Sequence, residues 1–163
     1  MGYLIDSDVF IEAKDRHYGF DFCPAFWDWI LAGNLAGQVF SVEKVADEIA
    51  AGDDELSAWA KEHAALFLKP GPDDMPALGG VSEWARGQAY DPVAVNVFFE
   101  KADYYLIAQA LAHNHIVVTH ERPDSSPKRI KIPNACIGLG VKCMTPFQML
   151  RTERARFVLA PPP

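Results

Sequence analysis

Five carboxylates occupy positions where side chains do chemistry rather than decorate a surface. Asp6 and Asp8 bracket Ser7 directly after the short apolar run YLI, and Glu121 follows the run IVVT with only His120 between. Glu48 lies in VADEIA and Asp103 in KADYYLIAQA, each among apolar neighbours. Like charges at close range repel, and a buried carboxylate is costly unless a positive partner joins it. Two aspartates at a strand end are therefore either a seat for a cation or a pair that faces water. Asp8 also suits a helix cap, and Glu48 also suits an exposed helix position. Asp103 stands apart, because Leu106 and Ile107 lie three and four residues on and make its helix face largely apolar.

These acids need elements to carry them. The apolar runs predict short strands at Tyr3–Ile5, Gln38–Phe40, Leu66–Leu68, Ile116–Thr119 and Val141–Met144. Between them, periodic stretches predict helices over Val9–Lys14, Cys23–Leu31 (stopped by Gly33 and Asn34), Val42–Ile49 (capped by Ser41) and Asp54–Ala64. KPGPDDMP reads as a loop, followed by a weaker helix over Val81–Gly87. A helical stretch from Asp91-Pro92 to Ala112, with room for a break, precedes IVVT. ERPDSSPKRIKIP reads as a loop, and Pro146 opens a last helix to about Arg156. Short apolar strands alternating with helices predict a central parallel sheet covered on both faces, a three-layer α/β/α sandwich. Residues 1–157 read as one domain and 158–163 as a tail. In such a sheet ligand sites form at the carboxyl ends of the strands, where Asp6, Asp8 and Glu121 fall.

Composition narrows the classes. The 163 residues are half apolar with an ordinary charged share, which excludes a disordered chain. No apolar stretch approaches the roughly 20 residues that span a bilayer, and an acidic residue near the start argues against a signal peptide. Cys23, Cys136 and Cys143 form no CxxC pair, which fits reduced thiols in a cytoplasm. A formal charge of −7 argues against binding nucleic acid by overall charge, yet not against a nuclease whose acids hold a cation. The five histidines make no metal set; His113 and His115 read as loop residues, and His120 should point away if Glu121 points inward. Phe22, Phe26, Trp27 and Trp29 read as core or interface rather than as base-stacking groups, and Phe98, Phe99, Tyr104 and Tyr105 as packing residues.

Four segments in order, LIDSDVFI, VEKVADEI, ADYYLIAQA and VVTHE, resemble the signatures of the PIN-domain family, metal-dependent nucleases that include the VapC toxins of bacterial toxin–antitoxin pairs. They run from Tyr3 to about Phe147, and the long first loop and KRIKIP resemble a lesser-known PIN-like branch. The resemblance implies a PIN-like sandwich in which Asp6, Glu48, Asp103 and Glu121 form a catalytic and metal-binding acidic quartet. Ser7, Asp8 and Thr119 fall at its supporting positions. Asp8 stands where asparagine is usual, and Glu121 where aspartate is common.

Oxygen donors without cysteine or histidine suit Mg2+ or Mn2+ far better than zinc. The activity so implied is hydrolysis of RNA phosphodiester bonds by an Mg/Mn-dependent endoribonuclease, with an antitoxin protein or a second copy of the chain as further partners. Arg122, Lys128, Arg129 and Lys131 follow the fourth acid on a loop suited to phosphate, with Lys14 and Arg16 as additions. The rival expectation is a PIN-like module that binds RNA or protein without turnover. The aspartate pair also begins the haloacid dehalogenase-type phosphatase motif, but the later acidic pair of that class is missing.

Overall fold

The run YLI is buried at all three positions, as is IVV, so neither strand has a wet face. Such strands are stable only inside a sheet that is covered on both sides. A computed structural model describes residues 1–163. In it β1 (Tyr3–Ile5), β2 (Val39–Val42), β3 (Phe67–Leu68), β4 (Ile116–Val118) and β5 (Cys143–Met144) form one parallel sheet in the order β3-β2-β1-β4-β5. Helices flank it, giving the three-layer α/β/α sandwich that the alternation of elements predicts. They are α1 (Ser7–Glu12), α2 (Pro24–Leu35), α3 (Glu43–Ala50), α4 (Glu55–Glu62) and α5 (Met75–Gly87), then α6 (Pro92–Glu100), α7 (Ala102–His113), α8 (Ile132–Leu139) and α9 (Pro146–Thr152).

The chain lays strands outward from β1 to β3, then returns to β1's other edge for β4 and β5. The sheet order therefore reverses between β1 and β4. Tyr3, Leu4 and Ile5 pair with Ile116, Val117 and Val118, so the two central strands end level. The Asp6 N–H continues the ladder, donating to the Val118 carbonyl at 2.9 Å.

One continuous core surrounds the sheet, with Leu4, Ile5, Val117 and Val118 fully buried against Phe10, Ile30, Leu106 and Ile107 from the helices. Phe10 gathers Trp27, Trp59 and Phe67 around it with ring centroids 6.4, 5.9 and 6.0 Å away, joining four elements. Burying each such side chain contributes about 1.5–3 kcal/mol. No helix is long and apolar enough to cross a membrane, and all three cysteines are free thiols.

Several boundaries differ from the sequence pattern, each for a local reason. Ser41 does not cap α3; it lies within β2, fully buried, and its hydroxyl donates to the Ile5 carbonyl at 2.6 Å. Gly33 and Asn34 do not stop α2, which runs on to Leu35 before Gly37 turns the chain at φ +73°. Asn34 instead donates from its side chain to the Val39 carbonyl at 2.9 Å, tying the helix to β2. Part of KPGPDDMP is helical: Pro72–Asp74 forms a 3-10 turn and α5 begins at Met75, with proline in the first turn where its missing N–H costs nothing. Pro133 likewise lies in the first turn of α8, a helix absent from the sequence reading that begins within the end of ERPDSSPKRIKIP. His113 is the last residue of α7, with Nε2 2.8 Å from buried Asp74, and His115 Nδ1 accepts from the Gly2 N–H at 2.9 Å.

Gly33 allows a test of packing against propensity. A Cβ there would lie 2.6 Å from Val39 Cγ2. Alanine normally gains about 1 kcal/mol over glycine in a helix, but overpacking a core costs about 1–3 kcal/mol. Gly33→Ala should therefore lower the unfolding free energy in urea titrations, and the loss should disappear when measured in a Val39→Ala background.

Candidate active site

The level ends of β1 and β4 bring Asp6 and Thr119 side by side. Asp6 caps α1, its Oδ1 accepting the Ser7 N–H at 2.7 Å, while the buried Thr119 hydroxyl donates to Asp6 Oδ2 at 2.8 Å. Thr119 thereby fixes the carboxylate from the opposite strand. Asp8, one residue into α1, lies 3.3 Å from the same hydroxyl and accepts from the His120 N–H at 3.3 Å. All three predicted supporting residues touch the first acid or its holder. Ser7 contributes its backbone N–H, and its hydroxyl lies 3.5 Å from Asp6.

The other acids arrive from helices. Asp103 falls in the first turn of α7, only 7% exposed, and its carboxylate accepts no hydrogen bond from the protein. Glu48, exposed on α3, reaches the start of α7 and accepts the Ala102 N–H at 3.1 Å. Glu121 uses both oxygens: Oε1 takes Arg129 Nη2 at 3.0 Å and Oε2 takes the Ile132 N–H, the first of α8, at 2.8 Å. Its own N–H donates to Thr119 Oγ1 at 3.1 Å.

All five acids face one cavity of about 380 Å³ with no hydrophobic residue in its lining; Lys101, Arg129 and Lys131 complete it. Of these three cations only Arg129 lies within ion-pair distance of an acid. As the side chains stand, no three of the His, Cys, Asp and Glu residues are arranged to hold a single ion.

The basic residues expected to grip substrate divide. Arg129 and Lys131 line the cavity, and Lys128 lines an adjoining groove with Arg129 and Lys101. Arg122 is exposed outside both. Lys14 is not available, because Asp15 and Asp54 hold its ammonium at 2.9 and 2.5 Å. Lys101 went unnoticed in the sequence. The signal was its place immediately before the alanine–aspartate pair, where α6 breaks into α7. His120 turns away from the cavity that Glu121 faces, with its ring 5.7 Å from His17 and 5.6 Å from Phe147.

Burial, then Asp8 and Asp103, push the Asp6 carboxyl well above the usual carboxylate range, against the opposing Thr119 hydrogen bond. Burial, with Glu121 and Glu48, raises Asp103 to about 7, while Lys101 and Arg129 oppose it. An all-oxygen donor set whose charged form is disfavoured for want of positive charge fits a hard divalent cation such as Mg2+ or Mn2+.

An all-parallel sheet whose strand order reverses beside a carboxylate-lined cavity defines a doubly wound α/β protein with an acidic cleft at its switch point. The chain belongs to the family described as Domain of unknown function (DUF4411), whose model matches residues 3–157. No curated protein and no solved structure matches it.

Asp103 carries a proton in the folded chain at pH values where it is ionised in the unfolded one. That stabilisation is present near pH 4 and is lost as pH rises through about 7. Asp103→Asn should therefore melt at a higher temperature than the parent at pH 8 in EDTA, with the gap narrowing at pH 5. Mn2+ should raise the melting temperature of the parent at pH 8 and not that of the variant.

Proposed function

We propose that the chain is a PIN-like, Mg2+- or Mn2+-dependent endoribonuclease that hydrolyses RNA phosphodiester bonds at the cavity between β1, β4, α3 and α7. The observation that carries this reading is the excess of acid: five carboxylates against three cations, with Asp103 buried and unpartnered. Asp6 and Asp103 would hold the ion, with Glu48 and Asp8 at the rim. A bound divalent cation supplies a water activated for attack and stabilises the charge that develops on the phosphate oxygens.

The chain's own residues do the rest. Thr119 keeps Asp6 in place and oriented. Lys101 and Lys131, free of carboxylate partners, meet the phosphate on either side of the cut. Glu121 would add an oxygen to such a ligand set only if it gave up Arg129. Arg129 is half exposed while Glu121 is largely buried, so loss of that pair would leave the carboxylate on the Ile132 N–H and free a guanidinium for the phosphate. The likeness to toxin members makes an antitoxin protein the partner to look for in the neighbouring reading frames.

A module that binds without turnover draws support from the Glu121–Arg129 pair, which occupies one acid of the quartet. The two readings part in one assay. A panel of single-stranded and structured RNAs should be cut with Mg2+ or Mn2+ and not with EDTA. Asp6→Ala and Asp103→Ala should each reduce cleavage by at least about a hundredfold, the upper end of what losing a mere supporting group costs. Metal affinity with no cleavage of any RNA decides for the binding module. RNA affinity should fall with salt, and Lys131→Ala should lower the log–log slope by about 0.7, the value for one single-strand phosphate contact.

A further inference from the structure

Beside the carboxylate cavity lies a cluster of rings that the core does not use. His17 ends a π-helical turn after α1, His120 lies two residues past the end of β4, and Phe147 sits in the first turn of α9 after β5. The three come from separate stretches of chain, yet their ring centroids lie 5.3–5.7 Å apart. His17 is exposed and the other two are half-buried. Phe147 differs from the half-buried aromatics near it: Tyr18 and Phe157 pack against the core, and Phe147 does not. Neither imidazole makes a side-chain hydrogen bond within the chain. No buried side-chain nitrogen lacks a partner, so those ring nitrogens reach solvent.

Position gives the cluster its meaning. The His120 N–H donates to the Asp8 carboxylate, so the backbone that carries one of the rings touches the lining of the cavity. Arg16 precedes His17 and is 74% exposed beyond its contact with Glu12. Arg151, also exposed, stands four residues after Phe147 on α9, a spacing that brings two side chains onto one helix face. Aromatic rings with guanidinium groups on nearby residues suit an unpaired base and its phosphates.

We propose that His17, His120 and Phe147 form a stacking seat for one unpaired nucleobase of single-stranded RNA, adjoining the nucleotide whose phosphate enters the carboxylate cavity. The inference rests on the ribonuclease reading and adds to it the strand state of the substrate and a residue that positions it. Stacking of this kind tolerates any base, so the seat enforces an unpaired nucleotide rather than a sequence.

The test is binding of a fluorescent single-stranded oligoribonucleotide, followed by anisotropy with Ca2+ in place of Mg2+ or Mn2+, and parallel cleavage with Mn2+. Phe147→Leu keeps the apolar bulk and removes the ring; it should weaken binding about tenfold, within the range for loss of one base–aromatic stack. Phe147→Trp should restore it, and the melting temperatures of both variants show that the fold is intact. In cleavage, the leucine variant should raise KM and leave kcat nearly unchanged. Substrates carrying one abasic position should lose the same factor with the parent at a single site beside the cut, and nothing further with the leucine variant. Undiminished affinity in Phe147→Leu, or an abasic penalty equal in both proteins, overturns the seat while cleavage by the parent stands. Tight ring-dependent binding without cleavage keeps the seat and removes the nuclease. A parent chain that binds no single-stranded RNA removes both.

Discussion

The parallel register of β1 and β4 governs everything at the acidic end of this molecule. Because Ile5 pairs with Val118, the next residues on both strands leave the sheet at the same height. The Asp6 N–H takes the Val118 carbonyl and the Thr119 hydroxyl takes the Asp6 carboxylate, so one backbone and one side-chain bond lock the junction. A slip of one residue would turn every side chain of β1 to the other face and move Asp6 away from Thr119. Such a slip would break both of those bonds. The apolar strands thus do the positioning, and the polar residues beyond them take their address from that register.

That address is electrostatically poor. Asp6 and Asp103 lie in low-dielectric surroundings with further carboxylates beside them, and the chain's own cations only partly offset the charge. Each pKa unit corresponds to about 1.4 kcal/mol, so the raised Asp103 costs the folded state on the order of a few kcal/mol above neutral pH. Domains have about 5–15 kcal/mol of stability in all. A loss of this size at one residue is large beside the gain from any single hydrogen bond in the cluster, about 1 kcal/mol. The charge is therefore not a by-product of stabilising contacts. Either protons or an external cation must relieve it, and the sheet supplies the stability that makes the arrangement tolerable.

How legible this was in the sequence depended on whether a feature was local. YLI and IVVT are buried on both faces and could be read from composition alone. Room for a break between Asp91 and Ala112 could be read, but not its place at Lys101, while Asp103's burial followed from Leu106 and Ile107. Ser41 could not be placed, because a serine before a helix looks like a cap whether or not its hydroxyl meets the Ile5 carbonyl of a neighbouring strand. Gly33 looked like a stop for the same reason; only its contact with Val39, six residues on, explains why a glycine sits inside α2. The start of α8 was hidden among basic and proline residues. Its anchor is Glu121, which takes the Ile132 N–H from eleven positions away. The ring cluster was invisible for a like reason, since His17, His120 and Phe147 meet only when three strand ends are level.

Glu121 shows how these levels join. Its carboxylate holds Arg129 on one oxygen and the start of α8 on the other, so a single residue links the basic loop, a helix and the acidic cavity. The helix contact is the sturdier, because an N-terminal N–H favours negative charge and this oxygen is shielded. The Arg129 contact is the looser, since half of that side chain is in water. Positive charge entering the cavity would compete for the first oxygen and leave the second undisturbed. One acid can thus serve the resting fold and the charged state of the site by using its two oxygens differently. That is a sufficient physical reason for a glutamate here, whose extra methylene lets it span both partners.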